Sequence, residues 1–342
     1  MISGLGISVR DLEAALAARI AGFHGLRRVE KFAAGQSNPS YLLEADSGRY
    51  VLRAKPPGKL LKSAHAVERE YRVMRALAKT DVPVPRMLVL FDEGASPIGR
   101  AFFVMEYLDG RLFWDPALPE LEKSARGAVY DAMNRVLAAL HSVDPAAVGL
   151  ADFGRAGNYF ARQTARWAGQ YRASAAEPRA QMERLIGWLE AHMPDDDGAV
   201  ALVHGDFRLD NMMFAPDRAQ VIGLLDWELS TLGHPLADLA YQCMQWRLPH
   251  GGGMRGLGGL DRTALGLPEE AEYVARYCAR RGVAAPENWD FYLAFAFFRL
   301  AAILEGVAAR ARGGNASNPE QAVRYGEAIP VLLDLADEVI GG

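Results

Sequence analysis

One stretch limits the fold of this chain more than any other. Residues 202–214 read as an apolar segment, a polar loop and a second apolar segment, and a further apolar segment at 221–225 follows. Short apolar segments bounded by polar residues are typical of buried β-strands. We therefore predict three short strands, with Asp206, Asn211 and Asp226 in the loops at their ends. Loops held by a rigid scaffold are where chemistry usually occurs.

These three polar residues offer what phosphoryl transfer requires. An incoming hydroxyl needs a carboxylate that orients it and accepts its proton, and the nucleotide phosphates need Mg²⁺ to offset their charge. Asp206 can act as this base, while Asn211 and Asp226 offer oxygen ligands of the kind that Mg²⁺ prefers. Each residue alone is also a common turn residue, so the prediction depends on all three occurring together.

The spacing of the polar loop resembles that of a known family. His204-Gly205-Asp206 followed by Asn211 matches the kinase pattern H-x-D-x-x-x-x-N. The stretch is similar to the catalytic loop of the aminoglycoside phosphotransferase and choline kinase family, whose members have a protein-kinase-like fold. The order of the other motifs extends this resemblance from about residue 25 to about residue 335.

The resemblance implies an α+β, bilobal, protein-kinase-like fold that uses ATP and Mg²⁺. Residues 1–107 would form an N-terminal nucleotide-binding lobe, an antiparallel sheet with a helix at 64–79. Residues 108–342 would form a helical C-terminal lobe that carries the catalytic loop 204–211 and the metal-binding Asp226. In this fold Asp206 is the catalytic base, and Asn211 and Asp226 hold the metal.

Composition is consistent with a globular enzyme and excludes several other classes. A length of 342 residues favours two lobes. A net charge of −4 without a basic domain argues against a nucleic-acid partner, and two cysteines suggest neither disulfides nor a metal site. No signal peptide is evident, and the apolar run at 291–298 is too short to span a bilayer. We expect a cytoplasmic protein without a membrane partner.

The pattern of apolar residues predicts the elements on either side of the loop. The predicted helices lie at 8–21 and 64–79 and, beyond residue 115, at 118–142, 158–173, 178–192, 235–246, 269–282, 287–311 and 318–340. The predicted strands of the N-terminal lobe lie at 28–32, 39–44, 49–53, 86–91 and 101–107.

Two positions in the N-terminal lobe are candidates for binding the phosphates. The loop with Gly35 and Ser37 resembles the phosphate-covering loop of the family, but it lacks the full glycine pattern, and an ordinary hairpin loop would look much the same. On the third strand, Arg53 and Lys55 point to one face of the sheet. The family normally has a lysine at the position of Arg53, so either residue could contact the phosphates, or both could be solvated.

The resemblance assigns further roles around the nucleotide. Glu70 lies on the buried face of its helix and would hold the cation of the third strand, whereas Glu68 would lie at the surface. Residues at the end of the fifth strand resemble the hinge that binds adenine, where the backbone of Glu106 and Leu108 would contact the base and Met105 would lie behind its ring.

Four other polar residues have predicted roles. His204 would hold the backbone of the loop, and the resemblance implies that Arg208 would lie over the transferred phosphate. Asp238, near the start of a helix, is more consistent with capping or loop bracing than with metal binding. His141, at the end of the helix predicted at 118–142, is more consistent with a packed or capping histidine than with a ligand.

The predicted function is ATP- and Mg²⁺-dependent phosphorylation of a small-molecule hydroxyl. Residues 51–61, 256–261 and 267–273 resemble the branch whose kinase domains are associated with acyl-CoA dehydrogenases. This branch implies a hydroxyacyl or hydroxyacyl-CoA acceptor and a functional link to an acyl-CoA dehydrogenase. The arginines of the second lobe are compatible with an anionic acceptor. Alternatives are an aminoglycoside O-phosphotransferase and a nucleotide-binding pseudokinase that serves as an interaction module.

Overall fold

The computed structural model describes residues 1–32, 38–58, 66–251, 255–312 and 319–341. The chain divides into two compact units. Unit 1 contains Met1–Arg111, Met213–Pro216 and Ile222–Leu229, and unit 2 contains Leu112–Met212, Asp217–Val221 and Ser230–Gly342.

Unit 1 is built on a five-stranded antiparallel sheet with the order β1-β2-β3-β5-β4. Its strands are β1 (Leu26–Lys31), β2 (Ser40–Ala45), β3 (Gly48–Ala54), β4 (Met87–Phe91) and β5 (Phe102–Glu106). The five strands predicted from the sequence are confirmed, with ends close to those expected.

One face of this sheet forms the core of unit 1. Successive side chains of a strand point to opposite faces, and Leu52, Phe102 and Val104 are fully buried on this face. They share one hydrophobic cluster with Leu12 and Leu16 of helix α1 (Val9–Ala17). The helix is shorter than the predicted 8–21.

The opposite face of the sheet carries the polar residues. Val51 lies opposite Met105, and Arg53 lies opposite Phe103 across β3 and β5, so these four side chains share one face. Helix α2 (Val67–Leu77) packs on this face, where the ring of Tyr71 lies 6.1 Å from that of Phe103. The sheet therefore positions Arg53 between the strands and α2.

A hairpin formed by β7 (Met212–Phe214) and β8 (Val221–Leu224) brings Asp226 into unit 1. Backbone hydrogen bonds of 2.9 Å run in both directions between Arg111 and Phe214. Gly110 permits this close approach, since a Cβ there would overlap the Phe214 carbonyl oxygen. The sequence predicted a boundary after residue 107 and placed Asp226 in the second lobe; these backbone contacts explain its grouping with unit 1.

Unit 2 is mostly helical. Its helices are α3 (Lys123–Ser142), α4 (Tyr159–Ser174), α5 (Ala180–Ala191), α6 (Leu236–Cys243), α7 (Arg262–Leu265), α8 (Glu270–Arg281), α9 (Trp289–Arg312) and α10 (Pro319–Ile340). The helix predicted at 118–142 begins five residues later, because Leu118 has a φ of 53°, which a right-handed helix does not contain.

A short strand pair precedes the catalytic loop and α6. Strand β6 (Ala201–Val203) pairs antiparallel with β9 (Thr231–Gly233), and the latter was not predicted. The loop follows Val203 and α6 follows Gly233, which lie at opposite ends of this antiparallel pair. Helix α6 therefore reaches the loop through Asp238, which accepts hydrogen bonds from the amides of His204 and Gly205. Helix α6 ends at Cys243 and continues as a 3₁₀ turn, Met244–Trp246, rather than running to residue 246.

Helix α9 corrects one prediction from the sequence. The apolar run at 291–298 was judged too short to span a bilayer, but the helix has 24 residues and, by length and composition, is one that could cross a membrane. In the structure, 83% of its apolar window is buried within the protein. This is the burial expected of a core helix.

Candidate active site

The loop after β6 brings Asp206 and Asn211 together. Gly205 has a φ of 83°, a backbone conformation that glycine adopts readily, and a 3₁₀ turn over Leu209–Asn211 reverses the chain. Asn211 Nδ2 then donates to the carbonyl oxygen of Asp206 and to its Oδ2, both at 2.9 Å. The spacing of these two residues therefore closes a compact turn around the carboxylate of Asp206.

Asp238 braces this loop from α6. Its Oδ2 accepts from the His204 amide at 2.6 Å, and its Oδ1 accepts from the Gly205 amide at 2.8 Å. His141 Nε2 lies 3.3 Å from Asp238 Oδ2, and its Nδ1 lies 2.7 Å from the Tyr277 hydroxyl. The loop-bracing role predicted for Asp238 is confirmed, but capping is not, because Pro235 occupies the N-cap of α6.

His204 and His141 act as structural residues, as the sequence predicted. The amide of Asp206 donates to His204 Nδ1 at 3.2 Å. His141 is buried, and burial keeps its pKa below the ordinary value although the carboxylate of Asp238 opposes this shift. A neutral ring that donates to Asp238 and accepts from Tyr277 satisfies both nitrogens.

Asp206 is held as a carboxylate by its neighbours. Burial would raise the pKa of Asp206, but the charge of Arg208 and the hydrogen bonds from Tyr241 and Asn211 outweigh it and lower the pKa. The Tyr241 hydroxyl donates to Oδ1 at 2.7 Å. The group is thus ionised near neutral pH, with its oxygens available to a hydroxyl donor.

Arg208 lies between two carboxylates. Its Nε is 3.4 Å from Asp206 Oδ1, and a terminal nitrogen is 3.0 Å from Asp210 Oδ2. The side chain is 43% exposed, so it keeps access to a charged group arriving from solvent. This placement is compatible with the predicted role over the transferred phosphate.

In unit 1, Arg53 joins two acidic residues. Its Nε lies 2.8 Å from Glu70 Oε2, and a terminal nitrogen lies 2.7 Å from Asp226 Oδ1. The Arg53 side chain is 13% exposed and that of Glu70 is 1% exposed, whereas Asp226 is 36% exposed. The predicted pairing of Glu70 with the cation of the third strand is therefore present, and it extends to the predicted metal ligand.

Glu70 lies in a strongly negative environment. Burial, assisted by the charges of Asp226 and Glu228, raises the pKa of Glu70 to about 7, although Arg53 and a hydrogen bond from Asn38 oppose the shift. Asn38 Nδ2 donates to Glu70 Oε1 at 2.7 Å. One guanidinium thus balances more than one carboxylate.

Lys55 has a different partner from Arg53. Its Nζ lies 2.6 Å from Glu68 Oε1, and the two side chains are 22% and 37% exposed. Glu68 was predicted to lie at the surface; it is partly exposed there and pairs with Lys55. Ion pairs with this exposure contribute little to stability, so Lys55 can exchange partners at little cost.

The predicted hinge residues lie at the end of β5. Met105 shares the sheet face of Arg53. Two hydrogen bonds join Glu106 and Arg86. The Glu106 amide donates to the Arg86 carbonyl at 3.0 Å, and the Arg86 amide donates to Glu106 Oε1 at 2.8 Å. The Leu108 side chain packs against Gly223 of β8. Gly35 and Ser37 lie outside the described residues.

Comparison with known proteins identifies the family. A model described as "Phosphotransferase enzyme family" matches residues 28–273. A crystal structure from Ralstonia eutropha, named provisionally as an aminoglycoside phosphotransferase, is 45% identical, covers 98% of each chain and has a TM-score of 0.88. The chain belongs to the phosphotransferase enzyme family.

One curated relative and one solved structure add to this comparison. Mouse "Acyl-CoA dehydrogenase family member 10" is 49% identical over 302 residues, which is 87% of this chain and 28% of the mouse protein. The chain spans between 28% and 41% of the length of such curated relatives. A choline kinase from Cryptosporidium parvum covers 98% of this chain and 97% of its own; at 13% identity and a TM-score of 0.62 it shows the fold alone.

These findings confirm the resemblance and the α+β protein-kinase-like fold predicted from the sequence. They leave the roles of single residues as predictions. The chain has Arg53 where the resemblance implied a lysine. Arginine forms two directed contacts at once, and here it uses them on Glu70 and Asp226.

Each predicted metal ligand has the chemistry that Mg²⁺ prefers. In unit 2, Asn211 donates through Nδ2 to Asp206, so its Oδ1 is the atom left to act as a ligand. In unit 1, Asp226 is a partly exposed carboxylate. Within the described part of the chain, no cluster of three His, Cys, Asp or Glu side chains could hold a metal, but Mg²⁺ usually binds through one or two protein ligands plus substrate phosphates and does not require such a cluster.

Sequence reasoning missed two residues around the catalytic loop. Tyr241, which contacts Asp206, lies three residues after Asp238, and residues at this spacing share a helix face; the spacing could have revealed it. Arg299 was read only as an interruption of an apolar run, yet it is buried and donates to the Gly205 carbonyl at 2.6 Å. No sequence signal indicated that contact.

The arginines of unit 2 give less support to an anionic acceptor than the sequence suggested. Arg247 pairs with Glu270, Arg262 with Glu269 and Arg276 with Glu272. Arg280 pairs with Asp131, and Arg281 donates to Ser142. Because local partners satisfy these side chains, their number does not by itself indicate an anion-binding surface.

Proposed function

We propose that this phosphotransferase transfers the γ-phosphoryl group of ATP, with Mg²⁺, to a hydroxyl of a small molecule. The observation that carries the proposal is the state of Asp206. Its carboxylate is ionised, held on one oxygen by Tyr241 and on the other by Asn211. A fixed, charged carboxylate on a braced loop is what a base for an incoming hydroxyl requires.

In the proposed reaction Asp206 accepts the proton of the acceptor hydroxyl. The acceptor oxygen forms a bond to the γ-phosphorus as the bond between that phosphorus and the β,γ-bridging oxygen breaks, and ADP leaves. General base catalysis contributes about 10²- to 10⁴-fold, and positioning and electrostatics supply most of the remainder. Bound Mg²⁺, held by Asn211 and Asp226, would offset the charge of the phosphates.

The nucleotide side of the proposal rests on unit 1. Arg53 would contact the phosphates while it holds Asp226, and the backbone of Glu106 and Leu108 would bind the adenine. A spectinomycin phosphotransferase of this fold, with a TM-score of 0.65, was crystallised with ADP and spectinomycin. This supports a nucleotide as the second substrate.

For the acceptor, we propose a hydroxylated acyl group, either free or as its CoA thioester. The support is the resemblance of residues 51–61 and 256–261 to one branch of the family, together with relatives that are named as acyl-CoA dehydrogenases. A functional link to such a dehydrogenase follows from the same names. The product would be a phosphorylated acyl group with a better leaving group than hydroxide.

An aminoglycoside is the second candidate acceptor. It is favoured by the provisional name of the Ralstonia structure, which matches along nearly its whole length. Aminoglycosides are polycations and would require a cluster of exposed carboxylates near Asp206. A pseudokinase that binds nucleotide without transfer is the remaining alternative, and it has only the replaced lysine at Arg53 in its favour.

A transfer assay separates these candidates. Purified protein is incubated with Mg²⁺ and γ-labelled ATP, and with a 3- or 4-hydroxyacyl-CoA series, the free hydroxy acids, kanamycin or choline. The label should appear in a hydroxyacyl product, and Asp206→Asn should abolish its appearance. Transfer to kanamycin alone would favour the second candidate. Nucleotide binding without transfer to any acceptor would favour the pseudokinase.

A further inference from the structure

We infer that Tyr241 is a positioning residue for Asp206, and that its hydroxyl fixes the direction in which the base faces its substrate. The inference rests on the proposed function and adds to it a residue outside the catalytic loop. It is carried by the geometry of α6, the loop and α9 within unit 2.

The carboxylate of Asp206 is held from both sides. Tyr241 donates its hydroxyl to Oδ1 at 2.7 Å, and Asn211 donates Nδ2 to Oδ2 at 2.9 Å. A carboxylate with one fixed donor on each oxygen cannot rotate about its Cβ–Cγ bond without breaking one of them. The lone pairs that remain for an acceptor hydroxyl therefore have one fixed direction.

Tyr241 is itself firmly placed. It is buried, at 7% exposure, and shares a face of α6 with Asp238, which binds the amides of His204 and Gly205. One helix face thus contacts both the backbone of the loop and the carboxylate of its base.

Arg299 of α9 joins the same arrangement. Its guanidinium carbon lies 5.5 Å from the centre of the Tyr241 ring, and a terminal nitrogen donates to the Gly205 carbonyl at 2.6 Å. A cation over an aromatic ring is attracted to it. Arg299 therefore contacts both the ring of Tyr241 and Gly205, the residue before Asp206, and fixes their relative positions.

The Tyr241 hydroxyl donates a hydrogen bond and does not take up the proton of the acceptor. Burial, with the nearby charge of Asp206, raises the pKa of the Tyr241 hydroxyl, so it stays protonated. The proton from the acceptor remains on Asp206 until it is released to solvent. Tyr241 thus orients the carboxylate of Asp206, and Asp206 accepts the proton.

The test compares two buried tyrosine hydroxyls in unit 2. Tyr241→Phe removes the contact with Asp206 and keeps the ring that packs on Arg299. The matched control is Tyr130→Phe, because the Tyr130 hydroxyl is also buried and donates at 2.7 Å, but to the Pro116 carbonyl. Both variants lose one hydroxyl and one hydrogen bond, so both should show a similar fall in Tm.

Only Tyr241→Phe should change turnover. We expect kcat to fall by about 10- to 100-fold, because the hydrogen bond that Tyr241 donates to the charged Asp206 orients the base. The KM for ATP should stay within about twofold of the parent value. The ratio of ATP hydrolysis to transfer should rise, because a carboxylate free to rotate orients the acceptor less well. Tyr130→Phe should leave kcat and this ratio within about twofold. Equal kinetics in the two variants would overturn the inference.

A second measurement needs no acceptor. In protein labelled with ¹³C at the tyrosine Cζ, Asp206→Asn should move the Tyr241 signal and leave the Tyr130 signal in place. An unmoved Tyr241 signal would overturn the inference even in an active enzyme. If the parent protein shows no ATP turnover or transfer while the signal moves, the proposed function fails and the contact stands.

Discussion

The charged cluster of unit 1 and the catalytic loop of unit 2 hold their carboxylates by different means. In unit 1, one guanidinium, that of Arg53, serves Glu70 and Asp226. In unit 2, Asp238 is held by two backbone amides and Asp206 by a hydroxyl and a side-chain amide. The first arrangement depends on charge and the second on directed hydrogen bonds.

This difference indicates a division of labour. A cluster with more negative than positive charge attracts cations, which is the property that the predicted metal ligand Asp226 requires. A loop held by hydrogen bonds keeps its geometry whether or not a ligand is bound, as a base requires. Variants in the two units should therefore fail in different ways.

The largest effect is expected for the base. Asp206→Asn should lower kcat by about 10²- to 10⁴-fold, because the amide cannot accept the proton, while the affinity for Mg²⁺–ADP stays unchanged. Steady-state kinetics and calorimetry measure the two quantities. Asp217→Asn is the control, an exposed carboxylate paired only with Arg218, and should behave like the parent. Turnover retained in Asp206→Asn would remove the assignment of the base.

Loss of the loop brace should reduce both stability and activity. Asp238→Ala leaves the buried amides of His204 and Gly205 without their acceptor, which costs roughly 2–4 kcal/mol of unfolding free energy. Urea unfolding measures this value. Asp144→Ala is the control, since Asp144 also accepts a backbone amide, from Ala146 at 2.9 Å, but is exposed; it should lose less than about 1 kcal/mol. Similar losses in both variants would show that Asp238 does not brace the loop.

The two basic residues of the third strand should differ in effect. Arg53→Met should lower kcat/KM for ATP by about 10²-fold, because it releases Glu70 and Asp226 together. Arg53→Lys keeps one charge and should lose about tenfold or less. Lys55→Met removes only a half-exposed ion pair and should stay within about threefold. A larger loss for Lys55→Met than for Arg53→Met would mean that Lys55 contacts the phosphates.

The last prediction is an opposite dependence of stability on pH in the two units. The pKa of Glu70 is about 7 in the folded chain against 4.5 in the unfolded one, so its contribution to stability is largest below pH 4.5 and is lost as the pH rises to about 7. The pKa of His141 is lowered from 6.5, so the unfolded chain binds that proton first. Its contribution is present above pH 6.5 and is lost as the pH falls.

Hydrogen exchange resolved by peptide tests this difference. After correction for intrinsic exchange, protection of α2 should rise as the pH falls from 7 to 5, and protection at the end of α3 should fall. Each pKa unit corresponds to about 1.4 kcal/mol, or tenfold in protection. His141→Gln should remove the change in α3 and leave that in α2. Parallel changes in both units would contradict these directions.

The sequence predicted the secondary-structure elements and the polar residues of the candidate site better than it predicted which side chains contact one another. The strands of unit 1 and most helices followed from apolar periodicity, and the loop with Asp206 and Asn211 followed from a spacing that closes a turn. Local patterns carry such information because they depend on near neighbours.

Contacts between distant segments were not visible in the same way. Asn38 directly follows the loop of Gly35 and Ser37, and its amide donates to Glu70, which lies 32 residues further along the chain. The bond of the buried Arg299 in α9 to Gly205 joins segments almost a hundred residues apart. Likewise, Arg280 and Arg281 of α8 contact Asp131 and Ser142 of α3. Such pairings depend on how elements pack, which one sequence does not specify.

The close approach at Gly110 has one more consequence. The segment expected to bind the adenine ends where Arg111 pairs through backbone hydrogen bonds with Phe214 of the hairpin that carries Asp226, and the backbone of Gly110 lies close to the Phe214 carbonyl oxygen. A methyl group at residue 110 would push the two segments apart and so move the predicted adenine-binding residues relative to Asp226. The absence of one carbon atom therefore sets, in part, the spacing between these two predicted positions.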